Sequence, residues 1–244
     1  RHIHDMGRGA RRRTAALRLL AQAAEMGQRP LEAFELTRLL RKHGDLSDEA
    51  TLRILLPLAE AAALQTQSVK ALRALRAQLA PWHEQPGSEA ELALFAPTEL
   101  MLVARAAQLP QGAAQANAWL LALWDAVMAN AEALPDALWE PLVGTLETVL
   151  VAIDGTPDYA PWLARIASAQ QQWPQVVALQ YLQGMAALSQ SQWDEGRRWL
   201  AQSALTLPSP HLQRQAWRAL ARLADAQGRA DEARDAWQRA AMVD

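Results

Sequence analysis

Fifty-two of the 244 residues are alanine, against nine valines and four isoleucines. Alanine orders no side chain when a helix forms, whereas β-branched residues lose χ1 freedom, so this chain is rich in helix formers and poor in strand formers. The apolar pattern agrees. Leu17, Leu20, Ala21 and Ala24, and again Leu212, Ala216, Leu220 and Leu223, recur at three- and four-residue steps, and sustained two-residue alternation is absent. About twelve helices are predicted, near 9–26, 30–43, 48–64, 68–79, 89–107, 112–129, 136–152, 158–171, 175–189, 193–206, 211–226 and 230–242. Ser88 with Glu91 fits a capping box. Ser209-Pro210 and Thr156-Pro157 place a capping hydroxyl before a proline suited to the first helical position. Ser47, followed by Asp48 and Glu49, sets a cap and two carboxylates at the positive end of a helix dipole. Gly27, Gly44, Gly155 and Gly228 fall where helices should stop. Residues 81–87 form the expected internal joint.

Charge and composition exclude several classes. The formal charge is −2 and the pI about 6.3, so the chain lacks the broad attraction that draws basic proteins to nucleic acid, and no nucleic-acid partner is expected. No cysteine is present, which removes disulfides, thiol catalysis, Cys-bearing zinc sites, iron–sulfur clusters and c-type haem attachment. Apolar-looking stretches such as 55–64 are too short to span ~30 Å of hydrocarbon. The first residue is Arg1 and not Met, so a soluble piece of a longer protein is expected. The charge is unevenly spread: residues 1–53 hold eleven Lys/Arg against seven Asp/Glu, a net +4. Arg11, Arg12, Arg13 and Arg18 form the basic patch, open to three readings: contact with acidic headgroups, docking of an acidic protein, or plain solvation.

Short links between helices imply antiparallel pairs, and the last quarter repeats. Gly184, Gly196, Leu200, Ser203 and Pro208 stand at offsets 0, 12, 16, 19 and 24; Ala221, Gly228, Ala233, Trp237 and Ala240 stand at 0, 7, 12, 16 and 19. Small residues where two helices approach, a large residue filling the gap and a turn residue midway resemble the tetratricopeptide repeat, with a spacing of 37 residues (184 to 221) where ~34 is usual. The expectation is an all-α solenoid of antiparallel helix pairs in one domain over 1–244, clearest at 175–208 and 211–243. The match is looser around Ala21, Gln28, Ala33, Thr37 and Leu40, and there is no clean signature over 46–172. Stacked pairs make a groove. The repeat frame puts Ala178, Tyr181, Met185 and Leu188, and then Gln215, Arg218, Arg222 and Asp225, on the inner faces. Tyr181, Met185, Arg218 and Arg222 are therefore the expected partner-binding residues, two guanidinium forks for a carboxylate beside apolar contact; a solvated arginine face is the alternative. Arg18 and Gln22 take equivalent places in the first pair.

Residues 181–186 with Gln192-Trp193, 212–221, Gly228 and Ala236-Trp237 resemble the C-terminal region of the HemY proteins. Arg11-Arg12-Arg13-Thr14, Ala16-Leu17-Arg18-Leu19, residues 39–44 and Ser47 resemble the middle of proteobacterial members. Trp193-Asp194-Glu195-Gly196 departs from the Trp-Gly-Lys-Ala run of many relatives. The resemblance implies an inner-membrane protein anchored by two N-terminal helices absent from this chain, with the repeat domain on the cytoplasmic side. It also implies a non-catalytic scaffold or regulator of proteins, possible partners being enzymes of a late stage of haem biosynthesis.

Enzymatic motifs are missing: no G-x-S-x-G, no glycine-rich phosphate loop, no H-E-x-x-H. Asp194-Glu195 and Asp231-Glu232 stand at helix starts, where the dipole explains them. No catalytic residue, metal ligand set or cofactor is expected. His43 reads as a helix C-terminal cation, and His2 and His4 as a tail. A haem or porphyrin carrier is the alternative, with His43, His83, His211, Tyr181 and Met185 as possible donors, though no pair is placed by spacing. A general peptide adaptor is another. Trp119, Trp124, Trp199 and Trp237 read as packing.

Overall fold

The structure, a computed structural model, describes residues 2–42, 48–79, 89–129 and 131–243. They form twelve α-helices and one 3-10 turn, with no strand among the described residues. The chain divides into two compact units, Arg1–Pro86 with Leu109–Gly112, and Gly87–Gln108 with Ala113–Asp244. The expected joint at 81–87, the capping pair Ser88–Glu91 and Ser47 lie outside the described residues.

The first unit holds α1 (His2–Met26), α2 (Pro30–Lys42), α3 (Asp48–Gln65) and α4 (Val69–Leu79). Helix α1 begins well before residue 9. Helix α2 buries Pro30, Ala33, Phe34, Thr37 and Leu40 at three- and four-residue steps, packing on α1 and on α3. Ser68 caps α4 by accepting from the Ala71 amide at 3.2 Å.

The second unit holds α5 (Glu89–Gln108), α6 (Ala113–Met128), α7 (Asp136–Ala152), α8 (Tyr159–Gln172), α9 (Val177–Ser189), α10 (Trp193–Thr206), α11 (Pro210–Ala226) and α12 (Ala230–Met242). Its first two pairs stack in a fixed register. Trp162 Nε1 donates to Asn117 Oδ1 at 2.6 Å, Trp173 Nε1 to the Met128 carbonyl at 3.1 Å and Thr145 Oγ1 to the Leu100 carbonyl at 3.4 Å, each across 45 residues. Trp124 meets Trp162 edge to face at 5.5 Å, a favoured arrangement of ring quadrupoles. At the α9/α10 crossing, a Cβ on Gly184 would stand 2.8 Å from Leu200 Cγ, and one on Gly196 2.5 Å from Leu188 Cδ2. The small residues at offsets 0 and 12 are therefore spacing requirements. Leu200 fills the gap and is fully buried.

The hairpins share one turn. Gln28, Ser191 and Gly228, seven residues after Ala21, Gly184 and Ala221, have φ of 54°, 60° and 71°. The following amide returns to a carbonyl five residues back in each: Arg29 to Ala24 at 2.8 Å, Gln192 to Ala187 and Arg229 to Ala224 at 2.9 Å. A left-handed residue followed by this return bond closes a helix and satisfies its last carbonyls. Gln111, with φ 59°, stands seven residues after Ala104 in the link from α5 to α6. Ala116 and Leu120, at offsets 12 and 16, are buried. A repeat thus lies within 46–172, where no clean signature was expected.

Two local expectations are corrected. Thr156 does not cap α8; its hydroxyl donates backward to the Ile153 carbonyl at 2.7 Å, and Asp158 takes the N-cap position without a side-chain bond. Trp237 does not fill the gap that Leu200 fills, being 40% exposed with its indole donating to Asp225 at 3.0 Å. Trp199 is half-buried, donating to Glu195 at 3.3 Å. Ser209 does cap α11, accepting from the Leu212 amide at 3.1 Å before Pro210.

Candidate functional site

The first unit is open on the side where α1 and α3 face each other across α2. A cavity of about 760 Å³ lies there, lined along α1 by Arg18, Ala21, Gln22 and Glu25 and along α3 by Arg53, Ile54, Pro57, Leu58, Ala61 and Gln65. Its floor is the buried stripe of α2. The floor is short because it is built from Pro30 and Ala33 as well as Leu40, and it is apolar in effect because Thr37 spends its hydroxyl on the Ala33 carbonyl at 2.9 Å. Ile54 is 41% exposed into this space. At one end Gln65 Nε2 donates to the Gln28 carbonyl at 3.3 Å, tying α3 to the α1–α2 turn. Arg18 and Gln22, expected on an inner face, line this trough. Arg12 and Arg13 are exposed and are not among its lining residues; the Arg11 side chain lies outside the described residues.

The second unit treats its inner face differently. Tyr181, on α9, is 1% exposed and its hydroxyl donates to Glu147 of α7 at 2.7 Å. Ala178, one turn earlier, is buried too. The cause is an approach of α7 to α11 across α9: Ser209, the cap of α11, donates to Glu140 of α7 at 2.6 Å, and Glu147 feels the charge of His211. What remains beside them is a cavity of about 360 Å³ between the start of α7, the start of α9 and the link into α11. Tyr181 is therefore part of the packing behind the face and not surface for a partner. Met185 and Arg218 are half-buried and Arg222 is exposed. No hydrogen bond, ion pair or ring contact joins these four residues among the described residues, and neither guanidinium is paired there. Asp225, expected to face inward, is turned to Trp237 of α12.

The electrostatics of the Glu147–Tyr181 pair follow from burial. Desolvation pushes the Glu147 carboxyl above its ordinary range, opposed by the bond from Tyr181 and the attraction of His211. Tyr181 is pushed up by burial first, then by the negative charge and the hydrogen bond of Glu147. The phenol stays protonated and its oxygen is committed as a donor. Of the other possible haem donors, His43 and His83 lie outside the described residues, as do the side chains of His2 and His4. No group of three His, Asp or Glu gathers to hold a metal among the described residues. No described helix is long and apolar enough to cross a membrane.

The signal for the open trough was partly legible. Arg18 and Gln22 follow from the repeat frame, whereas Arg53, Ile54, Pro57 and Leu58 fell in a stretch without a readable repeat. Compared with models of known protein families and with curated proteins, the chain matches none.

Proposed function

We propose that the chain is a non-catalytic scaffold of tetratricopeptide type that binds other proteins through an inner repeat surface. The observation that carries this reading is the trough of the first unit. It is wide, floored by short apolar residues, bounded by charged and amide side chains, and exposes Ile54 where a packed core would cover it. The buried acid of the second unit is better explained as packing than as chemistry, since its hydrogen-bond partner is a phenol held protonated by the same burial. The pathway rests on the resemblance of residues 11–19, 39–47, 181–193 and 212–237 to HemY, which supports a place beside enzymes of late haem biosynthesis at a bacterial inner membrane.

In-cell crosslinking and mass spectrometry of the full-length protein test both parts, with an Ala61→Trp variant that fills the trough beside Leu58. Partners that include haem-biosynthetic enzymes and disappear in the variant are expected. Partners retained by the variant would remove the trough from the reading, partners from unrelated processes would remove the pathway, and no partner at all would remove the scaffold.

A further inference from the structure

We propose that the cavity of about 360 Å³ in the second unit binds a small organic amine, a positively charged ammonium carried on an aromatic or aliphatic body. The site belongs to the second unit alone and does not rest on the scaffold reading.

Three helix starts build it. The chain enters α7 at Asp136, α9 at Val177 and α11 at Pro210, and residues at or beside each of these points line the cavity. Leu134, Trp139, Ala178, Leu207 and Leu212 are buried in its lining. The polar lining is Glu132, Asp136, Gln175, Thr206 and Ser209, all exposed or half-buried, so the cavity has an apolar floor and a polar mouth. Its volume is near the lower end of the ~300–1,000 Å³ usual for small-molecule sites. It admits a ring or a short chain, not a folded partner.

The mouth has spent its hydroxyl hydrogens and kept its lone pairs. Ser209 donates to Glu140 at 2.6 Å, Thr206 to the Gln202 carbonyl at 3.4 Å, and the Gln175 amide to Glu132. A hydroxyl has a single hydrogen, so Ser209 and Thr206 can only accept from a ligand. The side-chain donors left in the lining are one N–H of Gln175 and the indole N–H of Trp139. Asp136 has no hydrogen-bond or ionic partner among the described residues.

The charges decide the sign of the ligand. Glu132 and Asp136 line the cavity, Glu140 stands one turn from Asp136 on α7, and no Lys, Arg or His is among the lining residues. Against these carboxylates stand three helix starts, each worth about half a positive charge, which offset roughly half of the negative charge. The start of α11 is further satisfied by the Ser209 cap. An ammonium has three donors and no acceptor, the complement of this mouth. Trp139, one turn from Asp136, sets an indole beside the same carboxylates, and an aromatic face attracts a cation while covering its apolar body.

Calorimetric titration of the whole chain with three compounds of similar shape tests this: tryptamine, its neutral alcohol tryptophol, and the anion indole-3-propionate. The same titrations are run on Glu132→Gln/Asp136→Asn, which removes the charge, and on Val177→Trp, which fills the cavity. Circular dichroism checks that each variant folds; Glu132 and Asp136 are exposed, so the charge variant keeps the test usable if Val177→Trp unfolds the unit. Tryptamine should saturate one site per chain with a Kd of roughly 0.1–1 mM, the affinity expected of so small a ligand. Tryptophol should bind about tenfold more weakly, the charge variant should lose about tenfold for tryptamine, and Val177→Trp should abolish binding. Tryptophol equal to tryptamine overturns the choice of a cation. Tighter binding of indole-3-propionate means that the helix starts outweigh the carboxylates, and overturns it too. Saturation by none of the three, or tryptamine binding unchanged in either folded variant, removes the site, and leaves the scaffold reading where it stands.

Discussion

Glu147 shows how one buried carboxyl links packing to pH. Burial raises its proton affinity, and the bond from Tyr181 together with His211 recovers only part of that cost. Because the folded value lies above the unfolded one, about 4.3 for glutamate, the native state holds the extra proton across the window between them. Stability is fully present below that window and falls as pH rises through it. Glu147→Gln keeps the shape and an oxygen to accept from Tyr181 but does not titrate. The variant should match the wild type in acid and melt at a higher temperature at neutral pH, the gap opening across the window. Thermal melts at a series of pH values read this directly; a variant less stable at neutral pH would mean that the ionised carboxylate is a net stabiliser. The same burial explains why Tyr181 was readable as an inner-face residue but not as a hidden one. The bond that closes the face, Ser209 to Glu140, spans 69 residues, and no local pattern announces a contact at that distance.

Helix existence was legible because apolar steps, capping residues and stop residues agree along the chain. The predicted spans fall within a few residues of those formed everywhere except the start of α1. The turns were harder, since a left-handed residue is announced by glycine and only Gly228 among the three shared turns is one. Gln28, Gln111 and Ser191 adopt the same conformation at a cost of roughly 1–2 kcal/mol each, from the clash of Cβ with the next carbonyl. The α5/α6 repeat stayed hidden for that reason, and because the following stack is spaced by 45 residues and not by the 37 of the last two units. Ser191→Gly should stabilise the second unit by about 1 kcal/mol, less the entropy glycine regains on unfolding, whereas Gly228→Ala should destabilise it by about 1 kcal/mol. Urea titrations followed by far-ultraviolet circular dichroism measure both. Equal and negligible changes would mean that the turn relaxes to right-handed backbone at little cost.

At the scale of the chain, stability in a stack of helix pairs is set by each element and its immediate neighbours, so it need not be uniform. The second unit is graded. Helix α7 buries Leu138, Trp139, Leu142, Val143, Leu146 and Val149, and α9 buries Leu179, Tyr181 and Leu182 among eight residues. Helix α12 buries only Ala233, Ala236 and Ala240, and packs on α11 alone among the neighbours that it meets closely. Its outward face is carried by ion pairs such as Arg239–Asp235 at 2.9 Å, which contribute little when exposed. With roughly 25 cal/mol per Å² of apolar surface removed from water, three alanines hold α12 far less firmly than large side chains hold α7. Amide hydrogen exchange should therefore show α12 opening by itself, with protection on the order of a hundredfold below that of α7 and α9. The outcome also bears on how the chain could be shortened. If α12 and α9 exchange together, the pairs form one cooperative block, and removal of the last helix would unfold the face that Glu147 and Tyr181 hold closed.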